Sequence, residues 1–395
     1  MRILLLSVSI DNGSVGRIVR DLYQGYKMAG HECKIAIGRG SKADIPEEDI
    51  IYISNKVDVY AHAALSRLFG KTALAYSKIV TKKFVEVLDV FKPEVVHMHG
   101  VYGYFVNMPI FFKYLADKNI NVISTLHSCW DFTGHCCYFD FAECDQWKSG
   151  CKKCSQKKAY PSSYFFENSS SNYNIKKELY SSLKNCVIVT PSEWLSTLAR
   201  ESFLNTHTIR TIYNGIDLNK FRPTTELYLP DIDKPIILCS ANLWERRKGW
   251  EDVVELSSVI PENIQLVVLG VNSDQAKQLD KKAISIEHTN NVEEMVKLYS
   301  QATVFFNPTY EDNYPTVNLE AICCGSSVVT YATGGSPETL HDMNHGIVIQ
   351  CGDFDSLFSY TYKKSKTLDF FSDYDFYSKN RMCLEYINLI EEFGK

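Results

Sequence analysis

No stretch of this 395-residue chain holds the ~18 consecutive apolar residues of a membrane-spanning helix, so none is expected. The apolar start, Ile3-Leu4-Leu5-Leu6, gives way at once to Asp11–Gly16; it is too short for the core of a signal peptide and reads as a buried first strand. An excess of positive charge is also lacking. The net charge of −5 argues against bulk attraction to nucleic acid, so no nucleic-acid partner is expected. There is no internal repeat and no low-complexity tract, which excludes a solenoid. A GxGxxG turn is missing as well, and this counts against a dinucleotide-dependent oxidoreductase. Cysteine, by contrast, is plentiful at thirteen. Several cysteines lie inside apolar runs (Cys33, Cys186, Cys239), as in a cytoplasmic protein whose thiols stay reduced.

The length points to two domains. Strand-like runs at Leu4–Ser9, Cys33–Gly38, Val95–His97, Val122–Leu126 and Val187–Thr190 alternate with amphipathic segments such as Val15–Met28, Ile110–Ala116 and Trp194–Phe203. A second series follows: strands at Pro235–Ser240, Gln265–Gly270, Val304–Asn307, Val328–Thr330 and Ile347–Gln350, with helices at Lys248–Ser257, Val292–Ala302, Pro315–Cys324 and Asp355–Lys363. Such alternation predicts an α/β protein with two doubly wound parallel sheets. Polar residues and Pro223 and Pro230 mark a boundary within 205–233, giving domains 1–205 and 206–370 and a final helix within 371–395 that packs back on the first domain. Ligands of open parallel sheets bind beyond the carboxyl ends of the strands, so residues just after strands are the candidates.

Four such segments stand out. The loop Asp11–Arg17 places Gly13 and Gly16 where a helix opens, a form that suits either phosphate binding or a plain tight turn. Arg246-Arg247-Lys248-Gly249 sets three cations after a strand, able to neutralise a diphosphate leaving group; a solvated basic turn is the alternative. In Asn307–Ala321 a strand end leads through Glu311 and Asp312 to Pro315, read as the first helical residue, with free amides at Thr316 and Val317. Thr316 and Glu320 share a helix face, where Glu320 can hold vicinal hydroxyls such as those of a ribose. His127 ends another strand; His97 and His99 read as mainly structural.

The Asp312–Glu320 pair, two acids separated by seven residues, resembles the paired-acid motif of retaining family 4 glycosyltransferases. Here the first acid by spacing is Asp312, where relatives carry glutamate, and Glu311 is the other candidate. Gly334-Gly335-Ser336-Pro337-Glu338 resembles the family's glycine turn, Tyr213-Asn214-Gly215-Ile216-Asp217 its interdomain signature, and Arg247-Lys248-Gly249 its diphosphate element. Asn242 stands where relatives often carry arginine. The resemblance spans nearly the whole chain. It implies a GT-B fold with a cleft between two Rossmann-like domains, a nucleotide-sugar donor of UDP- or GDP-hexose type, retention without a metal, and His127 on the donor sugar. It assigns Asp312, Lys248, Arg247 and His127 to catalysis, and Gly13, Gly16, Arg246, Arg247, Lys248, Thr316, Val317 and Glu320 to the donor.

Five cysteines, Cys136, Cys137, Cys144, Cys151 and Cys154, cluster in the segment after His127. Cys136, Cys144, Cys151 and Cys154 are able to hold a structural zinc, which would explain a loop of ~30 residues with little regular structure; reduced thiols or a disulfide are the alternatives. The order Trp130, Phe132, Gly134-His135-Cys136, Trp147-Lys148 resembles an insert of the family 4 subset linked to surface polysaccharide (O-antigen, capsule, exopolysaccharide) assembly. That implies a glycan or lipid-linked acceptor. Lys152, Lys153, Lys157 and Lys158 beside Tyr160, Tyr164, Phe165 and Phe166 suit either peripheral contact with the inner face of the cytoplasmic membrane or a solvated loop. The rival readings are a nucleotide-sugar epimerase or phosphorylase on the same fold, and a non-catalytic binding protein.

Overall fold

Residues 1–11, 13–364 and 374–394 are described by the structure, a computed structural model. The expected 370/371 boundary therefore lies outside the described residues, as does Asn12 of the first loop. The chain divides into two compact units, Met1–Tyr213 with Met382–Lys395, and Asn214–Arg381.

The first unit holds strands β1 (Arg2–Ser7), β2 (Glu32–Ile37), β3 (Ile50–Tyr52), β4 (Val95–His99), β5 (Asn121–Thr125), β6 (Cys186–Thr190) and β7 (Thr208–Thr211). Its helices are α1 (Gly13–Met28), α2 (Lys56–Phe69), α3 (Lys78–Phe91), α4 (Met108–Asp117), the single turn α5 (Gln146–Ser149), α6 (Ser169–Ser181) and α7 (Glu193–Glu201). All strands pair in parallel, in the order β3-β2-β1-β4-β5-β6-β7. The unbroken apolar run of β1 is explained by burial on both sides: Leu4 and Leu6 enter one core, Ile3 and Leu5 the other. The second of these cores also takes Met382, Tyr386, Leu389 and Ile390 of α13 (Lys379–Glu392).

The second unit holds β8 (Ile236–Ser240), β9 (Gln265–Leu269), β10 (Ile284–Ile286), β11 (Val304–Asn307), β12 (Ser327–Tyr331) and β13 (Gly346–Ile349), with α8 (Trp250–Val259), the short α9 (Ser273–Ala276), α10 (Val292–Gln301), α11 (Thr316–Cys323) and α12 (Phe354–Lys363). The order β10-β9-β8-β11-β12-β13 is again parallel. In both sheets the strand order reverses beside the first strand of the unit, between β1 and β4 and between β8 and β11. Those two switch points are where open α/β sheets leave room for ligands.

Three differences from the sequence reading have clear causes. The short strands β3, β7 and β10 each lie at a sheet edge; β3 and β10 are only three residues long, and β7, Thr-Ile-Arg-Thr, alternates exposed and half-buried residues. Because β7 pairs with β6, the first unit runs on to Tyr213 instead of ending at 205. The expected helix Lys248–Ser257 is broken at Gly249, whose φ of 76° ends a one-turn 3-10 helix (Arg246–Lys248) before α8 starts at Trp250.

Candidate active site

Two loops of the second unit meet at its switch point. The turn after β8 and the loop after β11 are stitched by the Tyr310 N–H donating to the Arg247 carbonyl (2.8 Å). Gly249 permits this approach, since a Cβ there would stand 2.2 Å from the Pro308 carbonyl oxygen. The three cations of the turn then separate. Arg246 is 78% exposed in its side chain and reaches only Glu251, at 3.7 Å. Arg247 turns inward and donates from Nη1 to the Glu311 carbonyl (2.7 Å) while pairing with Glu245 (2.9 Å). Lys248 donates Nζ–H to the Asp312 carboxylate in a short ion pair.

Asp312 is gripped from behind. The Gly335 N–H donates to its carbonyl (2.9 Å), and Gly334, at φ 57°, leaves no room for a Cβ, which would lie 2.5 Å from that oxygen. Burial opposes ionisation of Asp312. The Lys248 ammonium and Arg247 guanidinium, with hydrogen bonds from Lys248 and the Asn313 N–H, outweigh it and hold the carboxyl below its usual range. Glu311, fully buried, offers its carbonyl to Arg247 and lacks Asp312's place against Lys248.

Pro315 is the cap of α11 and not its first residue; the helix starts at Thr316 with no side chain capping it, leaving backbone donors at Thr316 and Val317 on a partly exposed surface. One turn on, Glu320 is 3% exposed and accepts from the Tyr299 hydroxyl at 3.3 Å. Sequence reasoning passed over several supports. Asn318 links Asn307 (2.8 Å) to Thr339 (2.9 Å), pinning α11 to the end of β11. Asp252, which reads as an ordinary helix-start acid, accepts from the Tyr310 and Tyr331 hydroxyls and so holds the loop. Among the described residues the buried Ser336 hydroxyl has no hydrogen-bond partner. None of these carries a local signal, because each depends on residues distant in sequence.

Strand β4 and the residues just after β5 carry the first unit's histidine cluster. His97 bridges the Tyr26 hydroxyl (3.0 Å) and Thr125 (2.8 Å), and Thr125 in turn meets the Tyr386 hydroxyl of α13. His99 Nδ1 lies 3.0 Å from His127 Nε2. Burial pushes His127 down to about 4 and His97 to about 3, and drives His99 well below its ordinary value, so all three imidazoles are neutral near pH 7. Gly16 packs 3.1 Å (as a Cβ) from the Ile10 backbone, so its small size serves helix packing, whereas Gly13 has a φ of 76° and open space around it.

After His127 the interior of the cysteine-rich insert is filled by rings. Trp147, 1% exposed, packs on Phe132 and Phe139 at centroid distances of 5.3 and 4.8 Å. Buried Lys176 sits 3.6 Å over the Trp130 ring. Among the described residues no three His, Cys, Asp or Glu side chains are grouped to hold a metal. Cys136 is hydrogen-bonded to Cys154, Cys151 accepts from the Gly134 N–H (3.1 Å), and Cys144 is only half-buried. Cys151 also interacts electrostatically with Cys154 and with Cys144, so the four thiols share one part of the insert beside its aromatic core.

No helix among the described residues is long and apolar enough to cross a membrane. The Glycosyltransferase Family 4 profile matches residues 15–220, and that of Glycosyl transferases group 1 matches residues 234–362. With more than half the chain matched by the first, this protein belongs to glycosyltransferase family 4. It is 23% identical over 360 residues to WcaC of Escherichia coli K12, named as a colanic acid biosynthesis glycosyl transferase, covering 86% of this chain and 85% of WcaC. Sucrose-phosphate synthase from Thermosynechococcus elongatus superimposes with a TM-score of 0.69 at 16% identity, over 99% and 98% of the two chains. HepE of Anabaena, solved with UDP and glucose, superimposes at 0.66 and 12% identity over 98% and 99%. The fold is thus GT-B, with two Rossmann-like units, and the chain is a glycosyltransferase.

Proposed function

We propose that the protein moves a sugar from a UDP- or GDP-hexose type donor to a glycan or lipid-linked oligosaccharide in surface polysaccharide assembly, with retention at the anomeric carbon and without a catalytic metal. One observation carries this reading: the Lys248–Asp312 pair, backed by Arg247, lies at the switch point of the second sheet beside the uncapped start of α11. Cations and free helix amides converging there suit a diphosphate, on which negative charge grows as the glycosidic C–O bond breaks. The names of the relatives support the class of substrate: WcaC is assigned to colanic acid biosynthesis, and HepE was solved with UDP and glucose.

In this scheme Lys248 and Arg247 neutralise the leaving diphosphate. Amides of Thr316 and Val317 bind its oxygens, with the unpartnered Ser336 hydroxyl as a further donor. Glu320 takes the ribose hydroxyls. The acceptor oxygen bonds to the anomeric carbon on the face the diphosphate leaves, and its proton passes to a departing phosphate oxygen. Asp312 holds Lys248 in place and accepts from a hydroxyl of the transferred sugar. We assign His127 to the same sugar, where a neutral imidazole can hydrogen-bond without adding charge.

The test is a thermal-shift and donor-hydrolysis screen against UDP-, GDP-, ADP- and dTDP-sugars with EDTA present. Stabilisation by one nucleotide class with slow sugar release is expected. No response to any donor would overturn the reading.

A further inference from the structure

Helix α2 is built inside out. Its buried side carries His62 and Ser66 together with Val59 and Ala63, while its outer side carries Val57 (76% exposed), Tyr60 (73%), Ala61, Ala64, Leu65 and Leu68. These outward positions recur every three or four residues, so they form one apolar stripe along the helix. The stripe is extended at its C-terminal end. There the segment 164–166 is held alongside by the Tyr164 N–H donating to the Arg67 carbonyl (2.8 Å) and the Asn168 side chain donating to the Phe69 carbonyl (2.6 Å). Phe166 stacks on Phe69 at 5.4 Å, and Tyr164, Phe165 (71%) and Phe166 stay exposed. Contiguous apolar surface of this kind is rare on a protein that stays free in water.

The charge around it is mainly positive. Stretches 56–78 and 151–168 contain Lys56, Arg67, Lys71, Lys78, Lys152, Lys153, Lys157 and Lys158 against two acids, Asp58 and Glu167, in a chain whose net charge is −5. Among the described residues none of these eight cations forms an ion pair, although lysines elsewhere commonly do. The surface is a helix face with a loop beside it, not a groove shaped for a peptide. Aromatic and aliphatic side chains rimmed by unpaired cations match the interface of an anionic bilayer, where rings enter the headgroup layer and cations meet lipid phosphates.

We propose that the outer face of α2, with Phe69 and the 164–166 segment, docks on an anionic membrane surface. This goes beyond the transfer reaction and does not rest on it.

Vesicle flotation of the full-length protein tests it, comparing phosphatidylcholine alone with phosphatidylcholine containing about 30% phosphatidylglycerol. Binding to the anionic vesicles only, weakened by high salt, is expected. A Phe165→Ser/Phe166→Ser double variant should lose about tenfold in partitioning while its thermal unfolding is unchanged. A Lys157→Glu/Lys158→Glu variant should lose binding at low salt. Equal binding to both vesicles, no binding to either, or undiminished binding by the aromatic variant would overturn the proposal. So would light scattering that shows the aromatic variant dissociating a wild-type dimer, because the face would then join two copies of the chain.

Discussion

Within and at the end of β4, and just beyond β5, the first unit carries His97, His99 and His127, held neutral by burial. At the ends of β8 and β11 in the second stand Arg247, Lys248 and Asp312, with the carboxylate held ionised by the two cations. The sheets share a topology and differ in what their strand ends do with charge. A buried group keeps its charge only where a partner of opposite sign is within reach. The second unit supplies such partners across its switch point; in the first, each histidine mostly meets other histidines and hydroxyls. In the proposed reaction the second unit would stabilise the developing negative charge and the first would supply uncharged hydrogen bonds.

Removing Lys248 should break that contrast most strongly. Lys248→Ala is expected to lower kcat about 100- to 1,000-fold, in line with the ~2.7–4 kcal/mol of one lost oxyanion donor, while the far-ultraviolet spectrum stays native. Near-normal turnover would remove Lys248 from the mechanism. Asp312→Asn combined with Lys248→Ala should cost little more than Lys248→Ala alone, because the pair acts as a unit.

His127→Ala is expected to have the next largest effect, about 5- to 30-fold in kcat/KM, on the scale of one or two kcal/mol of lost hydrogen bonding. With His127 at about 4, the wild-type rate should show no inflection from this group between pH 6 and 8. An inflection near 6.5 that vanishes in His127→Ala would mean the imidazole titrates in the working enzyme.

Stability against pH separates the two regions by window. The histidines have folded values below their unfolded one, so above about pH 6.5 neither state is protonated and they cost nothing. As pH falls below that, the unfolded chain takes up protons that the folded chain refuses. Stability should then drop from pH 6.5 toward about 4, by up to ~1.4 kcal/mol per pH unit for each fully buried histidine. Asp312 has a depressed folded value as a carboxylate; its stabilisation is present above its unfolded value and is lost only at lower pH. Urea midpoints at pH 7.5 and 5 check the histidine arm, and an unchanged midpoint would contradict it. Smallest of all, Arg246→Ala should change kcat/KM less than about twofold, since an exposed pair contributes little.

Much of this was readable along the chain. Continuous apolar runs marked the buried central strands, and the spacing of Asp312 and Glu320, with Arg247 and Lys248, marked the residues proposed to hold the donor. Edge strands escaped because Thr208–Thr211 and Ile284–Ile286 are short and half-exposed. The aromatic core of the insert escaped as well, because no spacing shows that Trp147, Phe132 and Phe139 converge.

By itself the sequence determined the alternation of strands and helices, the two parallel sheets and the residue types that reach the strand ends, because periodicity and burial are local properties of a chain. Tertiary structure decided which of three adjacent cations turns inward, which acid meets Lys248, where Gly249 and Gly334 must lack a Cβ, and that α2 faces outward with its apolar side. Those outcomes depend on what packs against each residue from far along the chain, and adjacency in sequence carries no record of it.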